Sequence, residues 1–268
     1  MEPVLVIIGI LLVCGIIAGF LSGLLGVGGG LFMVPVIFIL LSDYGYGEYA
    51  MLTAVATSAA VILPTSVSGT FRQWRMKNIC WHTSLILGTG GIIGSFFGSM
   101  VSLALPGEVH VSLFAFFLLF LAFWMVFNKS GYLGRFHLVE SGLSFGFFGF
   151  IVGTASGMFG IGGGMLLIPV LTIFFGYTMF RSVGISLAAM VLTSGGSVCS
   201  YILLGWGKQG LFPYSLGYVN LFVAGVLLCT SVPAAQAGAI FSSRIQEKMH
   251  LLLFTAMLLV IAFRMLLS

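Results

Sequence analysis

The stretch GFLSGLLGVGGGLFMVP at residues 19–35 returns as GTASGMFGIGGGMLLIP at residues 153–169. Gly19, Ser22, Gly23, Gly26, Gly28, Gly29, Gly30 and Pro35 fall on Gly153, Ser156, Gly157, Gly160, Gly162, Gly163, Gly164 and Pro169 without a gap. The offset of 134 is half of the 268-residue chain. Further on, TSAAVILPTS (57–66) lies over ISLAAMVLTS (185–194) at an offset of 128, pairing Ser58 with Ser186, Thr65 with Thr193 and Ser66 with Ser194. The missing residues belong to SDYGYGE (42–48), which the second half shortens. A weaker match sets IGSFFGS (93–99) over PAAQAGA (233–239). The chain therefore reads as two homologous membrane repeats, residues 1–128 and 137–268, joined by a basic cytoplasmic linker at 129–136.

Composition fixes the solvent. Hydrophobic residues make up 60% of the chain and charged residues 6%, against about 25% charged in a soluble domain. Such a chain cannot cover a globular surface with polar groups. That excludes a soluble enzyme, a nucleic-acid-binding domain and a disordered scaffold. The hydrocarbon core is about 30 Å thick and takes about 20 helical residues to cross. Each half holds five apolar segments, near 4–25, 28–41, 49–70, 81–104 and 109–127, then 137–159, 163–176, 182–205, 214–241 and 249–267. The expected fold is an all-α polytopic membrane protein of about 8–10 transmembrane segments, including short or broken helices at the glycine runs.

The second segment of each half is short for a crossing. Whether it spans or pairs with its neighbour as a re-entrant hairpin, each half crosses an odd number of times. The repeats should then have inverted topology. The charges agree. Arg72, Arg75, Lys77, Lys129, Arg135, Arg181, Arg244 and Lys248 fall on one side, and Lys208 and Arg264 on the other. By the positive-inside rule the first side is cytoplasmic. The N-terminus, MEPVLVIIGILLVCG, lacks the positive start of a signal peptide and reads as a first transmembrane helix. Cys14, Cys80, Cys199 and Cys229 show no CxxC pairing, so neither a disulfide framework nor a zinc site is expected.

The glycine runs are the first candidates for chemistry. GVGGG and GIGGG lack the Gly-Lys-Ser/Thr ending of a nucleotide-binding P-loop, since Leu31 and Met165 follow the last glycine. Adjacent glycines do break a helix, and the next helix then begins with free N–H groups and a positive dipole end, which suits an anion. Irregular backbone at membrane depth survives only inside protein or along a cavity. Gly28, Gly29, Gly30, Gly162, Gly163 and Gly164 are accordingly candidate substrate-site residues. The series Gly15, Gly19, Gly23 and Gly90, Gly94, Gly98 has small-xxx-small spacing and reads as helix packing.

Ser58, Thr65, Ser66, Ser186, Thr193 and Ser194 are candidates because they recur in register, and Ser58/Thr65 and Ser186/Thr193 each share a helix face. Hydroxyls can donate to an anion without burying a charge. The competing reading is a bond back to a carbonyl one turn earlier. Asn220 and Gln236, in the ninth segment, read as interhelical glue or as ligand contacts. No Asp, Lys or Arg sits mid-segment, so a carboxylate proton relay is not evident. His82, His110, His137 and His250, and Trp74, Trp81, Trp124 and Trp206, lie at segment ends and read as interfacial. Glu140 reads the same way.

On the doubled GxxSGxxGxGGG…P motif, the Thr-Ser pairs and the short basic loop after Arg72, the sequence resembles the TauE/SafE family of membrane permeases across essentially its whole length. The resemblance implies a multi-pass plasma-membrane transporter of small sulfur-containing anions such as sulfite or organosulfonates, working by alternating access. A passive anion channel or facilitator is the competing reading. No catalytic residue, cofactor or metal is expected. The expected partners are a small anion and the lipid bilayer, with no nucleic acid, and a homo-oligomer is compatible with the sequence.

Overall fold

The computed structural model describes residues 2–25, 28–43, 47–127 and 140–241. The linker at 129–136 and the tenth segment at 249–267 lie outside the described residues. Helix follows helix: α1 (Glu2–Leu25), α2 (Gly30–Asp43), α3 (Gly47–Arg75), α4 (Trp81–Ala104), α5 (Gly107–Phe127), α6 (Gly142–Phe159), α7 (Gly164–Pro169) running into a π-helical turn (Val170–Phe174), α8 (Met179–Leu204) and α9 (Leu221–Phe241). Among the described residues, α1, α3, α4, α6, α8 and α9 are long and apolar enough to cross a membrane, while α2, α5 and α7 carry shorter apolar stretches.

The side chains are distributed as lipid requires. Phe116, Phe120, Phe123, Phe147 and Leu143 point outward. The face that α4 buries is instead Thr83, Ser84, Gly88, Gly91, Gly94, Ser95, Gly98, Ser99 and Ser102, with Leu87 the large exception. Helices gain nothing from hiding apolar surface from apolar lipid, so close packing of small residues holds them together. Trp74, Trp81 and Trp206 are exposed at helix ends, as an interfacial belt requires.

The glycine stripes make two matching interfaces. A Cβ added to Gly19 or Gly23 of α1 would run into backbone of α9 at Ser231 and Ala235, and one on Gly15 would strike the Thr230 side chain and lie 3.0 Å from the Leu227 carbonyl. On α6, the same addition at Gly149, Gly153 or Gly157 would strike α4 at Leu87, Gly91 and Ser95. The glycines correspond at offset 134 and their partners at offset 140, so α1–α9 and α6–α4 are one interface with the halves exchanged. That is the contact pattern of a two-fold relation between halves. It yields a stability prediction. Gly153→Ala should destabilise the protein by about 1–3 kcal/mol through overpacking. Gly146→Ala, whose Cβ meets nothing within 4 Å, should be tolerated. Thermal unfolding of the two purified variants checks this, and equal melting temperatures would show that the interface yields.

Two segment boundaries move. Residues 214–220, expected at the start of the ninth segment, form a small hairpin pairing Ser215 with Asn220 and Leu216 with Val219. Tyr214 (φ 63°) and Gly217 (φ 56°) are left-handed there, a conformation that ends a helix. Glu140 lies just before the Ser141 N-cap of α6 and not inside the helix. It is exposed and accepts a hydrogen bond from the Tyr177 hydroxyl at 3.2 Å.

Candidate functional site

Both glycine runs break their helices in the same way. Gly28 and Gly29 have φ of 89° and 73°, and Gly162 and Gly163 have 73° and 81°. Two consecutive left-handed residues are steric ground for glycine alone. The helix that follows restarts identically in each half. Phe32 and Met33 donate to the Gly29 carbonyl, and Leu166 and Leu167 donate to the Gly163 carbonyl. The amides of Gly30, Leu31, Gly164 and Met165 come before the first helical donors, Phe32 and Leu166, and Gly163 offers no side chain to cap them.

The two breaks touch. A Cβ on Gly30 would collide with the Gly160 carbonyl, and one on Gly28 would lie 3.4 Å from the Ile161 carbonyl. What fills the space beside them is apolar. A Cβ on Gly162 would lie 2.7 Å from Ile62 Cγ2 and 3.2 Å from Met190 Cε, and the same two side chains crowd Gly28. Ile62 and Met190 are fully buried and correspond at the 128 offset. Ile62 sits at mid-length of α3, and Met190 near mid-length of α8.

The six candidate hydroxyls are all buried. Five donate to a carbonyl three or four residues earlier in their own helix: Thr65 to Ile62 at 2.8 Å, Ser66 to Leu63 at 2.8 Å, Ser186 to Val183 at 3.0 Å, Thr193 to Ala189 at 3.1 Å, and Ser194 to Met190. Ser58 reaches beyond its helix. Its hydroxyl is 2.9 Å from the Val55 carbonyl and 2.8 Å from that of Gly160. It thus ties α3 of the first half to the left-handed cap that ends α6 in the second.

The two amides lie apart. Asn220 is the N-cap of α9, accepting from Val223 N at 2.9 Å, and its own N–H donates to Thr57 Oγ1 at 3.0 Å. Gln236 is exposed, donating to Ser68 Oγ at 3.2 Å while its carbonyl accepts from Arg72 Nη1 at 3.3 Å. Their contacts on α3 are eleven residues apart, about 16 Å along the helix, with Ile62 between them.

Two further residues belong with the breaks. Ser156 is 1% exposed, its hydroxyl has no hydrogen-bond partner, and a Cβ on Gly163 would lie 3.9 Å from that hydroxyl oxygen. Ser22, its repeat counterpart, lies against Gly29. No group of three or more His, Cys, Asp or Glu that could hold a metal occurs among the described residues.

The profile described as "Sulfite exporter TauE/SafE" matches residues 11–265. The chain belongs to the TauE/SafE family. Relatives of like length carry membrane-transporter names. A "probable membrane transporter protein" of Methanocaldococcus jannaschii is 31% identical over 98% of this chain and 97% of its own. One of Haemophilus influenzae is 31% identical over 96% and 97%, and YunE of Bacillus subtilis is 25% identical over 94% of each. No solved structure matches. This TauE/SafE protein is a multi-pass protein of the cell membrane and a member of a transporter family. In it, the doubled family motif builds two helix breaks that meet at the middle of α3 and α8.

Proposed function

We propose that this TauE/SafE member is a permease for small anions, with sulfur oxyanions such as sulfite and organosulfonates as the substrate class. One observation carries the reading: two helix starts, each opened by consecutive left-handed glycines, converge on one point where the two halves meet. Each helix end contributes on the order of 0.3–1 kcal/mol toward an anion, and up to ~2 where partly buried. A hydrogen bond to a charged ligand adds about 1.5–3 kcal/mol. Backbone N–H groups and the Ser156 hydroxyl provide the donors. The chemistry asked of the site is binding and release, with no nucleophile, metal or cofactor.

Ile62 and Met190 close the crossing in this conformation, which favours alternating access over an open pore. The odd crossing count read from the sequence and the charge asymmetry support inverted halves, related by a half-turn about an axis in the membrane plane. The direct test is flux into proteoliposomes of sulfite, methanesulfonate, sulfate and acetate. Saturable flux that prefers the sulfur oxyanions is the expected result. Flux that simply follows the gradient without saturating would make the protein a channel, and no flux of any of them would remove the reading.

Orientation has its own probe in Cys80, between α3 and α4. The Thr83 hydroxyl, 3.3 Å from Cys80 Sγ, and the Thr83 amide hold this thiol below its ordinary range, and Arg181 adds to the effect against partial burial and Glu140. Its thiolate should react with an impermeant maleimide in inside-out vesicles and not in intact cells, and Thr83→Ala should slow it. Ready labelling from outside intact cells would reverse the orientation.

A further inference from the structure

His110, which the sequence places at an interface, is 1% exposed at the start of α5. Its Nε2 lies 2.8 Å from the Met158 carbonyl. A carbonyl can only accept, so Nε2 carries the proton and Nδ1 is left with a lone pair. Ser102 Oγ of α4 is 3.4 Å from both ring nitrogens. Next to it, the Tyr201 hydroxyl of α8 donates to the Gly157 carbonyl at 2.7 Å. Met158 and Gly157 belong to the last turn of α6, whose carbonyls have no helical partner. The left-handed Gly160 and the break follow directly. One histidine and one tyrosine from other helices thus hold the end of the broken helix.

The sequence repeats this histidine. EVHVSLFA (108–115) lies over KMHLLLFT (248–255) with His110 on His250, Leu113 on Leu253 and Phe114 on Phe254, at the offset of 140 that also relates α4 to α9. His250 lies outside the described residues. Tyr201 is the titratable group of α8 at this place, and Tyr218 of the hairpin stands 6.3 Å from it, ring to ring, with its buried hydroxyl unpartnered. Lys208 lies over the Tyr218 ring at 5.5 Å and over Tyr49 of α3 at 5.8 Å. On α5 itself Glu108 is exposed. The titratable residue of α4, His82, is exposed at the opposite end of that helix, and α6 has none. No described carboxylate is placed to take the proton in place of His110.

We propose that His110 is the proton-binding residue of the transport cycle, taking up one proton together with the anion. Resting on the small-anion reading, this names the coupling ion. The incoming proton bonds to the Nδ1 lone pair, and on release returns to water. The imidazolium keeps its Nε2–H bond to Met158, but Nδ1 turns from acceptor to donor and Ser102 must reorient. The new positive charge sits at a helix C-terminus, where carbonyl dipoles favour a cation, two residues before the break. An anion at the break and a proton on His110 then favour each other, and linkage makes the effect reciprocal.

The experiment follows the ring nitrogens of 15N-histidine-labelled protein in lipid nanodiscs from about pH 4.5 to about pH 8. It is run with and without methanesulfonate, which stays a monoanion throughout. Loss of a signal in His110→Gln identifies the residue. The expected result is a His110 midpoint raised by the anion by at least about half a pH unit, roughly a threefold change in proton affinity. Wild-type methanesulfonate flux into proteoliposomes should respond to an imposed pH gradient. His110→Gln, which still donates to Met158 and accepts from Ser102, should ignore it. Ser102→Ala removes the hydroxyl within 3.4 Å of Nδ1 and, if that hydroxyl donates to the neutral ring, should move the pH–flux midpoint up by ~0.5–1 unit, a shift that a merely structural role would not produce; it carries the test if His110→Gln does not fold. A His110 that titrates identically with and without anion, or a His110→Gln variant with the wild-type pH response, overturns the proposal and leaves the permease reading standing. No flux of any anion, with the His110 midpoint still raised by methanesulfonate, removes the permease reading while supporting the proton site.

Discussion

Valine at Gly29 or Gly163 should lower anion flux at least tenfold, with the protein still reaching the membrane. Both positions are left-handed, at φ 73° and 81°. An L-residue there costs roughly 1–2 kcal/mol, and a β-branched one more, because its side chain is stiff against the backbone. Space adds to the strain: the new Cβ would lie 2.9 Å from the Ala18 carbonyl at Gly29 and 3.0 Å from Val152 Cγ1 at Gly163. Relief requires the break to turn, and turning it takes the first amides of α2 or α7 off the point where they converge. A loss of about 1.4 kcal/mol is already tenfold in binding. Alanine at the same positions carries the strain without the branch and should fall between wild type and valine. Flux per reconstituted protein is the measurement, with gel filtration to confirm a folded sample. Normal rates in both valine variants would make these glycines packing residues and move the site elsewhere.

The hydroxyl variants are expected to behave differently. Read from the sequence, Thr65→Val and Thr193→Val delete an anion donor. In the structure each of these hydroxyls already spends its hydrogen on its own helix, so the replacement costs no donor to the ligand. Flux should change by less than about twofold, since a single neutral hydrogen bond is worth only about 1 kcal/mol. Kinetics on both variants check it, and a tenfold rise in KM would return these residues to the site.

The contrast shows where the sequence is transparent. Glycine has few reasons to occur in consecutive pairs within apolar helices, so its recurrence at a fixed offset announces a backbone device, and the left-handed angles follow. A buried serine or threonine has two outlets for its hydrogen, ligand or carbonyl, and register cannot choose between them. Only Ser58, of the six, reaches another element, because Gly160 leaves a carbonyl facing it. Ser22 and Ser156 stood in the repeated motif but looked like repeat markers, and their place against Gly29 and Gly163 is a product of packing. Asn220 looked like a polar residue mid-helix because the hairpin that precedes α9 is apolar in composition. His110 reads as interfacial because it starts its segment, yet its side chain turns in against the last turn of α6 while its neighbours Gly107, Glu108 and Val109 stay exposed. Ile62 and Met190 carry no signal at all: they differ in identity, and apolar residues in an apolar segment draw no notice.

Those two side chains bear the second large prediction. They meet both breaks and fill the place where an anion would sit between the helix ends. Passage through that point requires them to move, and their removal should make movement unnecessary. In Ile62→Ala/Met190→Ala the vacated space would be bordered by the glycine amides and would admit water, since a cavity with polar partners fills where an apolar one stays dry. Flux of methanesulfonate should rise several-fold, stop saturating, and lose its preference over acetate. Stability should fall too, because truncating a buried Ile or Met costs about 2–5 kcal/mol, so the assay belongs well below the melting temperature. The opposite change separates gating from simple loosening. Ile62→Phe keeps the crossing apolar but enlarges the plug, and should reduce flux tenfold or more while the protein stays folded. A leak in the double alanine variant together with a block in the phenylalanine variant puts the crossing of the two glycine breaks on the transport path. Wild-type rate and selectivity in both would take it off that path.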